Sequence, residues 1–203
     1  MALVVLAGFL LTRALDTSTD VSAAPAGASE HGVTVGDPDA PHSVIVYEDF
    51  LCPFCGELEA ATREDFERLA EEGELLVEYR PFNLLERYGD YSPQSTNAFA
   101  VVLEESGPEV AKRFHDLLFD NQPSESGPFP DTQDLLDLAV EAGAEEDEVS
   151  EGILEVTMRD WVDAATAAAV EAGVQGTPTV ILDGEVVQGQ PQDILDAVLE
   201  ATA

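Results

Sequence analysis

The chain alternates between apolar stretches of strand type and stretches with helical periodicity. A short strand in VTV is followed by SVIVYEDF (Ser43–Phe50), which is β-branched, apolar and bounded by turn residues, so we expect a buried strand there. In residues 53–73 the apolar positions recur at helical spacing with acids between them, which predicts a helix. The run ELLVEYRPF (Glu74–Phe82) predicts a further strand.

The second part of the chain changes from helical to strand composition only near its end. Residues 90–173 have helical periodicity, interrupted at Gly107–Pro108. Strand composition returns in TPTVILDGEVVQG, where Asp183–Gly184 is typical of a hairpin, and QPQDILDAVLEATA predicts a terminal helix. This order predicts a split α/β sheet with an all-helical insertion of about 90 residues.

The charge of the chain limits its partners. It has 42 acidic and 8 basic residues, a formal net charge of −34. Such a field repels nucleic acid and anionic membranes, so we expect no nucleic-acid partner. The acids are spread along the chain, which is typical of a solvated surface tuned for solubility; attraction of cationic substrates is the less favoured alternative.

The N-terminus carries an apolar run from Ala2 to Leu11. It is too short to span a bilayer, which needs about 20 residues, and no basic residues precede it. We expect residues 1–12 to be the remnant of a signal peptide or signal anchor, 13–32 a flexible linker and 33–203 the folded domain. A buried element of a cytosolic protein is the alternative, but the small, polar stretch directly after the run favours export or membrane anchoring.

The only cysteines, Cys52 and Cys55, lie in LCPFC, where the buried strand ends and the helix begins. A zinc site would need two more ligands, and the three histidines show no paired spacing, so we expect no metal. A structural disulfide closing so small a loop removes little chain entropy, and two merely buried thiols would not explain the spacing. A C-x-x-C pair beside a βαβ pattern favours redox chemistry.

The strand–helix junction makes the two thiols unequal. Cys52 lies just before the helix, where unpaired N–H groups and the helix dipole favour a thiolate. Pro53 suits the first helical turn because it has no N–H to lose. Cys55 lies nearly one turn further on and is more covered by the helix. We therefore expect Cys52 to be the attacking thiolate and Cys55 the resolving thiol.

A second motif, GTPTVILDG, places a proline directly before a buried strand. Pro178 cannot donate a hydrogen bond to the sheet, so it is either an ordinary edge proline or part of a cis Thr177–Pro178 bond. A cis bond would leave neighbouring backbone groups free to bind an extended peptide by strand addition.

Together, CPFC after a buried strand, the helical insertion and GVQGTPTVILDG resemble the DsbA-like branch of the thioredoxin superfamily, from about Val33 to the C-terminus. The resemblance implies a thioredoxin-like α/β fold with an all-helical insertion. It also implies the role of each site residue: the nucleophile Cys52, the resolving Cys55, Pro53 and Phe54 as residues that tune the redox potential, and the cis-proline Pro178 with Thr177 beside it as the substrate-binding pair.

The chain departs from the family at two places. DsbA has histidine where this chain has Phe54, so the protein is expected to be less oxidising. Thioredoxin-like strands often carry a buried acid six residues before the first cysteine, where this chain has Val46. Two other acids, Glu48 and Asp49, lie closer in sequence to Cys52. We favour solvated strand-end acids for them, since most carboxylates are exposed; the alternative is a proton acceptor for Cys55.

Three further features receive weaker predictions. We expect His115 at the surface or partly packed, and Phe114 and Trp161 in the core of the helical insertion. The stretch PFNLLERYGDYSPQ follows the second strand and is a candidate for the substrate groove.

The resemblance implies an extracytoplasmic thiol–disulfide oxidoreductase that oxidises reduced exported proteins. It would need no cofactor, act as a monomer and be reoxidised by a membrane quinone-linked oxidase of the DsbB or vitamin-K-epoxide-reductase type. Three alternatives stay open: the same chemistry as a reductase or isomerase, a peptide-binding or chaperone module with a structural disulfide, and a cytosolic thioredoxin-fold enzyme such as a glutathione-dependent isomerase.

Overall fold

The computed structural model describes residues 21–203, and its five strands form one mixed sheet in the order β1-β3-β2-β4-β5. The central strands β2 and β3 are parallel, with Val44 opposite Val77, and the other neighbours are antiparallel. The strands are β1 (Val33–Val35), β2 (His42–Glu48), β3 (Leu75–Pro81), β4 (Thr179–Leu182) and β5 (Glu185–Val187).

Five helices separate β3 from β4 and form the predicted all-helical insertion. Two further helices, one after β2 and one after β5, belong to the α/β part of the molecule. The helices are α1 (Pro53–Glu71), α2 (Tyr91–Ser106), α3 (Pro108–Asp120), α4 (Thr132–Ala142), α5 (Glu146–Leu154), α6 (Arg159–Glu171) and α7 (Pro191–Ala201), with a short 3₁₀ turn at Glu86–Tyr88. The predicted fold class is confirmed.

Strand β2 is buried on both faces, which explains its unbroken apolar run. Successive side chains point to opposite faces of a sheet, so Val44 and Val46 face one core and Ile45 and Tyr47 the other. Helices α1 and α7 and much of the insertion cover the first face, and α6 covers the second. This double burial encloses the end of β2 and the residues that lead into the cysteine motif, Phe50 and Leu51.

The two aromatic residues assigned to the helical core differ in burial. Phe114 is fully buried in α3, as expected. Trp161, at the start of α6, is only partly buried and bridges the insertion and the chain before β1: its ring lies 6.3 Å from Phe99 and 5.1 Å, edge-on, from His31.

Residues 21–32, the described part of the predicted linker, form an arm bound to the sheet. Arg80 on β3 donates to the carbonyl oxygens of Ala24 (2.9 Å) and Pro25 (3.0 Å), and it is paired with the buried carboxylate of Glu78 at 2.7 Å. Small apolar side chains of the arm cover the α6 side of the sheet. The small alanine and proline side chains of this segment, which suggested a flexible tether, allow the arm to pack closely against the sheet.

The predicted signal segment, residues 1–12, and the start of the linker lie outside the described residues. Within residues 21–203, none of the helices combines the length and apolarity needed to cross a membrane.

Candidate active site

The cysteine motif sits at the N-terminus of α1, where a short turn connects β2 to the helix. The Cys52 N–H donates to the Asp49 carbonyl at 2.9 Å, and the Cys52 carbonyl accepts from Cys55 at 3.0 Å, so the turn leads directly into the helix. Pro53 is the first helical residue, as its fixed φ favours. Both thiols are free, and Cys52 is 5% and Cys55 1% exposed.

The two thiols have opposite acidities. A hydrogen bond from the Cys55 thiol, assisted by backbone N–H groups of the first helical turn, lowers the pKa of Cys52 to about 6 despite burial. Burial raises the pKa of Cys55 well above its usual value, and the charges of Cys52 and Glu48 add to the rise. At neutral pH, Cys52 is therefore a thiolate and Cys55 a thiol.

The second predicted motif lies directly opposite the first. The Thr177–Pro178 peptide bond is cis, and the Thr177 carbonyl oxygen lies 3.4 Å from the Cys52 sulfur. A groove of about 420 Å³ runs beside this contact, with apolar walls from Phe54, Pro178 and Ile194. The Phe54 side chain is 64% exposed at its rim. The sequence-predicted residues of both motifs thus meet at one surface.

Glu48 and Asp49 are buried, so the expectation that they are solvated strand-end acids is wrong. Glu48 is 1% and Asp49 0% exposed. Glu48 continues the side of β2 that carries Val44 and Val46, and helices of the insertion cover this end of the strand. The end of a strand lies at the surface only when nothing packs over it, and here the insertion does.

Asp49 holds the loop that follows β3. One carboxylate oxygen accepts from the backbone N–H of Leu51 (2.8 Å), and the other accepts from Leu84 (2.8 Å), Leu85 (2.9 Å) and the hydroxyl of Ser92 (2.6 Å). Burial raises the pKa of Asp49, and these four donors oppose the rise. The carboxylate therefore fixes the chain between β3 and α2, the stretch predicted as a substrate-groove candidate.

Glu48 is instead paired with His115, and the expectation that His115 lies at the surface or is only partly packed is wrong. The His115 ring on α3 is 0% exposed, and its Nε2 lies 2.6 Å from Glu48 Oε1. Its Nδ1 lies 3.1 Å from Asp116. Burial alone would lower the pKa of His115, but the neighbouring carboxylates outweigh it and raise the pKa to about 9. Burial raises the pKa of Glu48, and His115 opposes that rise.

Comparison with known proteins places this arrangement in a family. A family model described as Thioredoxin matches residues 28–201. The chain belongs to this thioredoxin family. The reduced DsbA of Mycobacterium tuberculosis is 28% identical with a TM-score of 0.69, covering 85% of this chain and 92% of that one. A disulfide bond oxidoreductase of the same organism, DsbG, is 29% identical with a TM-score of 0.70, covering 85% and 88%.

A stretch of a larger protein also matches this thioredoxin-family chain. Serine/threonine-protein kinase PknE of Mycobacterium tuberculosis is 30% identical over 125 residues, which are 59% of this chain but 22% of the kinase. The match concerns only that part of the kinase. The predicted DsbA-like membership and the assignment to thiol–disulfide oxidoreductases are confirmed by the family and structural matches.

Gln122, just after α3, is a site residue that the sequence did not suggest. Its side-chain amide donates to the carbonyl oxygens of both Phe50 and Cys52, each at 2.9 Å. It also packs on Gly56, where an added Cβ would lie 2.6 Å from the Gln122 Oε1 atom. A glutamine in a loop carries no local signal of this role, because its partners are 70 and 72 residues away.

The side chains behind the cysteines also include a set with metal-ligand chemistry. Ligand atoms of Glu59, His115 and Asp116 lie within 4.8 Å of one another. Arg63 donates to Glu59 at 2.9 Å, and Lys112 lies 2.5 Å from Asp116. Because permanent cations already pair with these oxygens, the arrangement has the chemistry of an ion-pair network rather than of a metal centre.

Proposed function

We propose that this oxidoreductase oxidises cysteine pairs of exported proteins, outside the cytoplasm, through the Cys52–Cys55 pair. The observation that carries the proposal is the inequality of the two thiols: the pKa of Cys52 is about 6, whereas that of Cys55 is raised well above its usual value. A stabilised Cys52 thiolate favours the reduced form of the pair, which makes its disulfide an oxidant and Cys52 a good leaving group.

The exchange proceeds in two displacements. A substrate thiolate attacks Cys52 Sγ, the Cys52–Cys55 bond breaks, and Cys55 leaves with the electron pair and takes up one proton. The second substrate thiolate then attacks the substrate sulfur of the mixed disulfide, and Cys52 leaves as a thiolate. The substrate loses two electrons and forms a disulfide, and the protein gains them as a dithiol.

Glu48 is the proposed proton carrier for Cys55. The Cys55 thiol is 1% exposed, so bulk water does not reach it freely, and the charge of Glu48 already acts on its pKa. Asp49 was the second candidate from the sequence. Its four hydrogen bonds favour a structural role instead, because both of its oxygens are occupied by fixed donors.

The proposed substrate site is the groove beside Pro178. An extended peptide lying against Thr177 would pass within reach of Cys52, whose sulfur is 3.4 Å from the Thr177 carbonyl. The exposed Phe54 ring offers an apolar contact to an unfolded chain at the same rim. Recognition would then depend on backbone and apolar contacts, which suits an enzyme that accepts many unfolded substrates.

The remaining parts of the proposal rest on the sequence. The apolar run from Ala2 to Leu11 supports export or anchoring to the membrane. Reoxidation by a membrane quinone-linked oxidase of the DsbB or vitamin-K-epoxide-reductase type, action as a monomer and the lack of a cofactor follow from the DsbA-like resemblance.

The test is oxidative refolding of a reduced, unfolded protein that regains activity only with its disulfides. The oxidised enzyme should restore activity, Cys52→Ser should abolish the effect, and Cys55→Ser should accumulate a mixed disulfide with the substrate at Cys52. Full oxidative activity of Cys52→Ser would overturn the proposal and favour a peptide-binding or chaperone module with a structural disulfide.

The same chemistry run as a reductase or isomerase is the second candidate. The observation that favours it is Phe54, an exposed ring that offers no hydrogen-bond donor to the Cys52 thiolate. Weaker stabilisation of the thiolate makes the dithiol the better electron donor. The redox potential of the pair separates these two directions.

A further inference from the structure

We propose that His115 is a positioning residue for disulfide exchange: from the helical insertion it brings a positive charge to Glu48 and keeps that carboxylate ready to exchange a proton with Cys55. The inference rests on the proposed function, in which Glu48 carries the Cys55 proton. It assigns to the insertion an electrostatic part in the reaction, in addition to packing over the sheet.

The geometry leaves the His115 ring no freedom to turn away from Glu48. Its centroid lies 4.5 Å from that of Tyr79 and 5.0 Å from that of Phe119, and the ring is fully buried. Nε2 lies 2.6 Å from Glu48 and Nδ1 lies 3.1 Å from Asp116. Both ring nitrogens therefore face carboxyl oxygens, and when both groups are ionised only the doubly protonated ring donates to each of them.

The balance of charge around the ring leads to the same protonation state. The inner carboxylates are those of Glu48, Glu59 and Asp116, and the permanent cations are Arg63 and Lys112. If His115 is neutral, these three carboxylates and two cations leave one negative charge uncompensated. If His115 is an imidazolium, the charges balance.

Every element packed around the ring contributes to this environment. Towards the surface, Lys112 also contacts Glu67 at 3.1 Å and Arg63 contacts Asp120 at 2.9 Å, so both cations are shared with outer acids and the surplus of carboxylates around the ring is larger still. The groups concerned are Glu48 on β2, Tyr79 on β3, Glu59, Arg63 and Glu67 on α1, and Lys112, Asp116 and Asp120 on α3.

The proposed step balances one proton. When Cys55 leaves the disulfide as a thiolate, Glu48 delivers a proton to it and takes one from His115 Nε2. The ring keeps its Nδ1 proton, which faces Asp116, and becomes an imidazolium again when Nε2 takes up one proton from solvent. In the reverse direction, the Cys55 thiol gives its proton to the ionised Glu48 before it attacks Cys52. Without the imidazolium, a carboxyl group buried at this position would be neutral and could not accept that proton.

The chain contains a matched control for this pair at the other end of the same strand. His42, the first residue of β2, lies 2.8 Å from Asp183, so it is also a histidine–carboxylate pair. Its side chain is 28% and that of Asp183 43% exposed, and it lies at the opposite end of β2 from the cysteines. Replacement of His42 removes the same kind of contact without touching the Cys55 environment.

The experiment follows the reaction of the reduced protein with excess dithiobisnitrobenzoate by stopped flow. The first release of coloured thiolate reports attack by Cys52, and the second reports attack by Cys55 on the Cys52 mixed disulfide. His115→Gln keeps a hydrogen-bond donor near Glu48 but removes the charge. We expect it to slow the second step about tenfold or more near neutral pH and to change the first by less than about twofold.

The pH profile separates this role from a structural one. The second step of the wild-type protein should change little between about pH 6 and pH 8, whereas in His115→Gln it should rise about tenfold per pH unit because hydroxide must remove the Cys55 proton. Glu48→Gln should give the same profile, and the double variant should be no slower than either single one. His42→Gln should match the wild type.

Each contrary outcome has a distinct meaning. A slow second step in Glu48→Gln together with a normal one in His115→Gln would overturn the inference and leave the role of Glu48 intact. A normal second step in Glu48→Gln would remove the proton step from the proposed function and the inference with it. Loss of the first step would concern Cys52 and the proposed function alone.

A second measurement avoids any effect of the substitution on folding. In nitrogen NMR spectra of the wild-type protein, isotopically labelled at histidine, both ring nitrogens of His115 should carry protons at about pH 7.5, where an ordinary histidine is neutral. A neutral His115 ring at that pH would overturn the inference.

Discussion

Cys52 and Cys55 lie within one turn of each other at the start of α1, but the groups around them shift their pKa values in opposite directions. Cys52 faces the Thr177 carbonyl and the groove, and its pKa is lowered to about 6. Cys55 faces the interior, where burial raises its pKa and the charge of Glu48, which is paired with His115, adds to the rise. The side of Cys52 that faces the groove, where we propose that substrate binds, is called the substrate side, and it is built from the α/β part of the fold. The interior side, around Cys55, depends on the helical insertion.

The difference shows that a C-x-x-C motif and its sequence neighbours determine the environment of the first cysteine but not that of the second. The helix N-terminus that stabilises the Cys52 thiolate follows directly from local sequence. The proton supply that we propose for Cys55 depends on a contact between residues 67 positions apart, from β2 to α3. The predictions below separate the two sides.

The largest expected difference between the two thiols is in their alkylation. At neutral pH, iodoacetamide should modify Cys52 more than about 1000-fold faster than Cys55, because Cys55 is protonated and enclosed. The Cys52 rate should rise with pH and reach half its plateau near pH 6, in line with its pKa of about 6. Mass spectrometry of protein quenched at intervals measures both rates. Comparable rates for the two residues would erase the distinction between the two sides.

On the interior side, the titration of His115 should also affect how the free energy of unfolding depends on pH. The pKa of His115 is raised to about 9 in the folded protein, so its contribution is complete below the unfolded value of about 6.5 and is lost as pH rises through 9. The free energy of unfolding should therefore fall by on the order of 3 kcal/mol over this range. Denaturant titration of the oxidised protein, in which the thiols do not titrate, measures it.

The comparison variant for this titration is His115→Gln, which should show a flatter profile above pH 6.5 because the group that loses its proton is missing. His42→Gln should retain the full pH dependence. An equal fall in all three proteins would assign the effect to other groups.

A smaller effect on stability, without an effect on exchange, is expected at Asp49. Asp49→Asn keeps one accepting oxygen but places an amide N–H₂ against fixed N–H donors, so unfolding should become easier by about 1–3 kcal/mol. Both steps of the thiol exchange should keep their wild-type pH profiles in the folded fraction. A selective loss of the second step would return Asp49 to the candidates for the Cys55 proton acceptor.

The smallest structural effect is expected on the substrate side, at Phe54. The ring is 64% exposed, so Phe54→His should change the free energy of unfolding by less than about 0.5 kcal/mol. A histidine can donate a hydrogen bond to the Cys52 thiolate, and the potential should become less negative by about 30 mV for each unit by which the pKa of Cys52 falls. An unchanged potential would mean that residue 54 does not tune the pair.

Local sequence patterns were sufficient for the main elements of the fold and for the strand–helix junction that carries Cys52. The unbroken apolar run of β2, the helix opened by Pro53 and the hairpin at Asp183–Gly184 depend on neighbours within a few positions, and the structure contains all three. The family resemblance added Thr177 and Pro178, which the structure brings to Cys52 from the far end of the chain.

The interior side was not predictable in the same way, because acids and histidines are usually exposed. Two signals were nevertheless present in the sequence. Glu48 lies two positions after Val46 on the same face of a buried strand, and His115 lies four positions from Ala111 and four from Phe119, on the buried face of α3. Their pairing with each other is a tertiary contact and has no signature in either local pattern.

The redox titration of the Cys52–Cys55 pair against glutathione tests the central proposal most directly, because it reports the direction of electron flow. A lowered Cys52 pKa of about 6 stabilises the dithiol, so we expect a potential less negative than about −200 mV, on the side of DsbA at about −120 mV. A potential more negative than this, towards the value of about −270 mV for thioredoxin, would contradict an oxidising role.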